Sequence, residues 1–400
     1  MRITVSVSWL ALLLCLHVSG PATAAEAIKT RLIAKILGSR RAWDEKAGVR
    51  VQNDGFQGVL GTDLGAVTYY DARIWFNVGD TQFGKPSFDA PEIGNFLVAY
   101  TSDTMLEDGV EMDGYLNCAN RPKTALDPRP DYPIPNAMFT VKWRGKEHMF
   151  AQYMEVAEVS GHDHHVHRSR IAKYDPDRKI FVLYKPDAYT WTGKGAPKVH
   201  FHFGMASFWV DYEGEYVYAL GSPSGRFGGV KLARTQLERF MNAADSMGWE
   251  YYLGDGRWSP PTTDERVTGE AVWLIPPKDP DWSLDKNYDD LPWAKQCPLI
   301  TIAEFSVVYS PYLQRFLLLT GRPCPADSGG GVWYYTAPAL TGPWSAERLL
   351  MKNSTVGGVN WSYYGTYTTD AFLRDGGKVM YFVATTWEPY GVYLYAAQFP

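Results

Sequence analysis

Apolar and polar positions alternate with a period of two over short stretches, and these stretches recur in one order along the chain. An apolar strand, a tight turn and an aromatic-rich return strand are followed by a third strand, five times over. The copies read 64–69, 73–78 and 95–101; 137–143, 147–154 and 168–174; 205–211, 215–220 and 229–234; 303–309, 315–320 and 331–336; and 368–373, 378–384 and 391–397. Candidate fourth strands at 180–185 and 249–253 follow two of them. A unit of this size cannot bury both faces alone, so it stacks on its neighbours. Five such units predict an all-β, five-bladed β-propeller. Residues 236–247 carry the one convincing helical pattern, a short insertion after the third copy, and 255–296 form the longest loop. Nothing reads as an interdomain linker, so residues 25–400 are expected to form one domain.

The first hairpin, GTDLGAVTYYDARIWFNVGD over 61–80, has an aspartate at each open end. Asp63 precedes its first strand and Asp80 follows its second, so an antiparallel pairing brings two carboxylates together. Paired carboxylates are the minimum equipment for acid/base cleavage of a glycosidic bond. The plainer reading is that each closes a local turn. Counting eight residues back from each turn centre gives Asp63, Ala137, Ala206, Glu304 and Thr368 as the positions facing the funnel. Only Asp63 and Glu304 put carboxylates there. Three acids meeting from two blades would raise one pKa by mutual repulsion and leave another ionised.

Composition narrows the partner. The 400 residues are 46% hydrophobic and 15% aromatic, enough for a large core, and the net charge of −5 disfavours nucleic acid or an anionic membrane. A neutral glycan fits better. Residues 1–24 read as a secretory signal, with Arg2, an apolar run and the cleavage site Ala22-Thr23-Ala24. No later run is long enough to span a bilayer, so an exported, soluble protein is expected. Of the remaining cysteines, Cys297 and Cys324 flank the fourth hairpin and are expected to pair in an oxidising compartment, leaving Cys118 as a buried thiol. Two glycosylation sequons start at Asn353 and Asn360.

Several ordered motifs are similar to those of a known family. They are Gly61-Thr62-Asp63-Leu64-Gly65, Gly79-Asp80-Thr81, Gln152-Tyr153-Met154, the octapeptide from Gly221 to Gly228, Glu304-Phe305-Ser306-Val307, Gly342-Pro343-Trp344 and Trp387-Glu388-Pro389-Tyr390. In them the chain resembles domain-of-unknown-function family 4185, secreted five-bladed propellers that include the endo-D-arabinofuranases of glycoside hydrolase family 183. The resemblance implies catalysis by Asp63 and Asp80, the pair the hairpin itself picks out. Glu304, Arg226, Trp387 and Gln152 are the accompanying candidates for substrate contact. Arg226 serves equally well as the structural partner of a carboxylate such as Glu304.

The segment His162-Asp163-His164-His165-Val166-His167 departs from the family pattern. Its spacing matches no helical metal motif and no cysteine accompanies it. The expectation is therefore a polar funnel loop in which His165 contacts sugar, without a metal. His200 and His202 alternate and fit packing or ligand contact. Among the 15 Trp and 26 Tyr, most must be core; Trp191, Trp258, Trp361, Tyr363, Tyr364 and Trp387 fall near loops, where rings stack on sugar faces.

The sequence thus predicts a secreted, monomeric glycoside hydrolase acting on a polysaccharide or oligosaccharide, by resemblance a D-arabinan, without cofactor. Its rivals are a non-catalytic carbohydrate-binding propeller and a metal-dependent hydrolase using residues 162–167.

Overall fold

Five antiparallel sheets form a ring in this computed structural model, which describes residues 27–400 except 84–92, 117–123, 128–131, 159–163, 186–188, 193–201, 224, 243–247, 263, 285, 287, 289–290 and 357–358. The first blade runs outward through Val59–Tyr70, Arg73–Phe83, Leu97–Thr101 and Gly114–Tyr115. The second has Pro133–Trp143, Lys146–Glu158, His164–Asp175 and Ile180–Leu183, with Leu126–Asp127 parallel at its rim. The third has Met205–Asp211, Tyr216–Ser222, Lys231–Gln236, Glu250–Gly254 and Arg257–Trp258. The fourth has Phe305–Ser310, Arg315–Arg322, Gly331–Ala337 and Arg348–Lys352. The inner strands touch in cyclic order, and Tyr363–Tyr367 of the fifth blade returns against Val59–Tyr70 of the first.

The ring is closed by the two ends of the described chain. Tyr363–Tyr367, Val379–Thr386 and Gly391–Gln398 supply three strands of the fifth blade, and Lys29–Leu37 adds the outermost. This strand was not anticipated from the sequence. Its anchor is a fully buried ion pair, Lys35 Nζ to Asp44 Oδ2 at 3.1 Å, and the Tyr393 hydroxyl donates to Asp44 Oδ1 at 3.0 Å. Burial lowers the Lys35 ammonium to about 8, against the attraction of Asp44.

Blades bury both faces, so their middle strands read as near-continuous apolar runs; in RIWFNVGDTQF only Arg73 is exposed. Residues Asp71 and Ala72 have φ of 49° and 56°, as do Arg144 and Gly145 at 48° and 76°. Positive φ at both central residues matches the right-handed twist of the flanking strands, which is why these turns are so tight. Three aromatic-rich clusters fill the gaps between blades, one joining blades five, one and two, the next joining two, three and four, and the last joining four and five.

Several expectations change. The fifth inner strand is Tyr363–Tyr367, not 368–373, which instead holds the helical turn Asp370–Phe372. The helix expected over 236–247 is Leu237–Met241, with 243–247 outside the described residues. The described residues contain three other helices, Ala42–Lys46, Glu265–Glu270 and Trp293–Gln296; the last two, with Arg257–Trp258, give structure to the stretch read as one loop. Cys297 and Cys324 form the expected disulfide, Cα to Cα 5.7 Å, while Cys118 and residues 1–24 lie outside the described residues. No described helix is long and apolar enough to cross a membrane.

Candidate active site

Asp63 and Asp80 lie inside their strands rather than flanking them, because the first hairpin continues beyond both. Asp63 pairs with Gly79, and the register slips on either side of that pair. Thr62 Oγ1 holds one slip, donating to the Gly79 carbonyl at 3.0 Å and meeting Thr81 Oγ1 at 2.7 Å. Beyond it, Leu64 and Gly65 have φ of 61° and 102°. A leucine in the left-handed region costs about 1–2 kcal/mol; such bulges re-aim the neighbouring side chain. Gly79 is required opposite, since a Cβ there would stand 2.9 Å from Asp63 Oδ1.

Asp63 is buried, and its Oδ2 accepts from the Tyr364 hydroxyl at 2.7 Å. Burial first, and the charge of Asp80 second, push its carboxyl well above the usual carboxylate range. The hydroxyls of Tyr364 and Tyr390 oppose that rise, and Glu304 adds to it. Asp80 is half-buried; its N–H donates to Asn95 Oδ1 at 2.6 Å and its Oδ1 accepts from the Tyr132 hydroxyl at 2.8 Å. The Tyr390 hydroxyl donates to the Asp80 carbonyl at 3.0 Å. Burial and the adjacent acids raise the pKa of Tyr364 and Tyr390 far above the ordinary phenol value, so both remain hydrogen-bond donors.

Glu304 joins the group from the fourth blade. Burial works against its charge, but Arg226 outweighs it, Nη2 to Oε1 at 2.7 Å and Nε to Oε2 at 3.3 Å, and holds Glu304 below the usual range. Arg226 is thus the carboxylate's partner, the second of the two roles considered for it. Its guanidinium also lies 5.5 Å from the Tyr364 ring centre and 5.3 Å from that of Trp387. Trp387 packs on Tyr364 at 4.8 Å and faces Trp293 at 6.2 Å, whose side chain is exposed.

Of the sequence candidates, Asp63, Asp80, Glu304, Arg226 and Trp387 therefore converge. Gln152 does not join them: it is fully buried between the second and third blades, its Nε2 donating to the Gly204 carbonyl at 3.0 Å and to Ser169 Oγ. His165 lies on the strand His164–Asp175, but its side chain, like those of the neighbouring histidines, is outside the described residues, as are His162 and His200. His202 is not on a strand; it is buried beside Thr268 Oγ1 at 3.1 Å and packs on Trp273 and Trp282. Trp191, Trp361 and Tyr363 are core residues rather than sugar platforms, and Trp258 packs under Arg234. Among the described residues, no three His, Cys, Asp or Glu side chains converge on a point able to hold a metal ion.

The sequence reading missed Tyr132, Asn95 and Trp293 and gave Tyr364 the wrong job. Tyr364 occupies the funnel position of the fifth blade that was given to Thr368. Tyr390 stood in a quoted motif; Tyr132 carried no local signal.

The family model described as Domain of unknown function (DUF4185) matches residues 51–396. The chain belongs to that family. No curated protein matches. Among solved structures, a protein of Bacteroides ovatus with an ascribed hydrolase activity aligns over 85% of this chain and 86% of its own at 14% identity, with a TM-score of 0.54. The α-L-arabinofuranosidase PaAbf62A of Podospora anserina aligns over 92% and 96% at 12% identity, TM-score 0.46. The β-fructofuranosidase BmSUC1 of Bombyx mori aligns over 84% and 59% at 13%, TM-score 0.46. At 14% identity the likeness to the Bacteroides ovatus protein extends to the fold and no further.

Proposed function

We propose that this propeller is a glycoside hydrolase in which Asp63 donates the proton to the departing sugar oxygen and Asp80 activates water or attacks the anomeric carbon. One observation carries the reading: a buried carboxyl whose pKa is pushed upward by burial and by the charge of a second, more open carboxylate. That is the division of labour acid/base cleavage of an acetal requires. Glu304, already neutralised by Arg226, tunes the field and leaves the proton to Asp63. Trp387 and Trp293 offer ring faces for a sugar. By the resemblance to family 183 the substrate is a D-arabinan; a polysaccharide or oligosaccharide is the broader class. The disulfide supports an exported protein freed of residues 1–24, acting as a single-domain monomer.

The test is release of reducing ends from a glycan panel that includes arabinogalactan and lipoarabinomannan. Asp63→Asn and Asp80→Asn are each expected to lower the rate by ~10²–10⁴-fold with sugar affinity retained. If the wild type releases nothing from any glycan yet binds one, the protein is a carbohydrate-binding propeller instead. Loss of activity with a chelator and recovery with zinc would transfer the chemistry to the histidine segment.

A further inference from the structure

The axis of the ring holds a second concave site that the acid pair does not line. A cavity of about 800 Å³ opens at the hairpin-turn end and is lined by all five inner strands. Its contribution from the first blade begins at Ala66, three residues along the strand from Asp63, and neither Asp63 nor Asp80 lines it. The bulge at Leu64 and Gly65 divides the two along the first inner strand, and Tyr367 on the cavity wall lies between the cavity and the acids Glu304 and Asp63.

The wall is built of short hydroxyl side chains over an apolar base. Ser207 Oγ accepts the Val307 N–H at 3.0 Å, and Ser306 Oγ accepts the Thr368 N–H at 2.9 Å. Each serine is thus fixed in place by the next blade and keeps its own proton to give. Thr68 and Thr140 meet at 3.1 Å on the opposite wall. At the mouth stand Tyr69 and Tyr212, two of the seven large apolar or aromatic side chains that the described residues leave exposed. The charged lining residues balance: Lys142 and Arg374 against Glu147 and Asp370. Lys142 and Glu147 already pair at 3.5 Å.

We infer that this cavity is a second, non-catalytic binding site for a neutral, hydroxyl-rich ligand the size of one or two sugar rings. Fixed hydroxyls supply polar contacts, exposed aromatic faces stack on C–H surfaces, and the lining carries no formal net charge to favour an ion over a neutral ligand. The acid pair is not needed for this site, so its occupancy is independent of the hydrolase reading.

The test is titration of the intact protein with galactose, arabinose and cellobiose, followed by the fluorescence of the cavity residue Trp209 and by calorimetry. Millimolar, saturable binding is expected for at least one of the three. Tyr212→Ala and the cavity-filling Ser207→Leu should each weaken it at least tenfold, with unfolding midpoints confirming that both fold. Asp63→Asn should leave it unchanged. No saturable binding of any of the three, or binding that survives Ser207→Leu in a folded protein, or binding lost in Asp63→Asn, overturns the proposal. Failure here leaves reducing-end release untouched, and failure of that release leaves this binding untouched.

Discussion

The Tyr364 hydroxyl and the Asp63 carboxylate meet at 2.7 Å across the seam between the last blade and the first. They are 301 residues apart in sequence and join only because the ring closes. That contact makes the protonation state of Asp63 a property of the whole fold.

Removing it should be visible in a pH profile. The Tyr364 hydrogen bond favours the ionised carboxylate, so Tyr364→Phe raises the Asp63 pKa further. Activity that needs Asp63 protonated falls as pH rises through that pKa, so the alkaline limb of the profile should move to higher pH. A hydrogen bond to a charged group is worth about 1.5–3 kcal/mol, so a rate loss of roughly 10- to 100-fold should accompany the shift. A limb that stays in place would show that some other group titrates.

Asp63 should also destabilise the fold it serves. Its folded pKa lies above its unfolded one, so its contribution to stability is fully present below the unfolded value and is lost as pH rises through the folded value. Asp63→Asn avoids that loss. Urea midpoints at pH 7 should therefore be higher for the variant than for the wild type, and the difference should shrink toward acid pH. Equal midpoints at neutral pH would mean that burial of this carboxylate carries no penalty.

The Arg226–Glu304 pair is bidentate and mostly buried. Arg226→Met strands a buried carboxylate and should lower stability by about 3–5 kcal/mol. Arg226→Met combined with Glu304→Gln should recover much of this, measured by denaturant unfolding. If the double variant is as unstable as the single one, the arginine acts through its contacts with Tyr364 and Trp387 instead.

The disulfide closes a loop of 27 residues and braces the segment behind Arg226, where Phe227 stacks on Tyr288 at 4.2 Å and the Thr301 N–H donates to the Arg226 carbonyl at 3.0 Å. Cys297→Ala with Cys324→Ala should cost about 3–4 kcal/mol of stability by loop entropy. Activity should fall by more than the folded fraction does, because the bridge supports the Arg226 segment. A fall in step with unfolding would confine the bridge to a role in stability.

Much of this was legible in the chain. The two-residue turn Asp71-Ala72 fixes the register of the first hairpin and the four-residue turn 311–314 that of the fourth, so counting back from the two turn centres lands on Asp63 and Glu304. The count fails at Thr368, because the fifth inner strand leads into two helical turns, Asp370–Phe372 and Asp375–Gly377, before the return strand. Gln152 carries a family motif, yet at its place in the middle strand Lys146–Glu158 the side chain is fully buried and turned to the Gly204 carbonyl and Ser169. Lys29–Leu37 was missed because its partner, Gly391–Gln398, lies at the far end of the sequence. Tyr132 and Asn95 depend on loop paths that alternation does not describe.

That late partnership between the first and last strands has a bearing on biosynthesis. Asp63 is translated early, but Tyr364, Trp387 and Tyr390 arrive only near the end, and the latch formed by Lys29–Leu37 must wait for them. Until the last strand emerges, the chain holds one half of a constellation with nothing to complete it. The fold therefore withholds the Tyr364 contact from Asp63 until the fifth blade has been made.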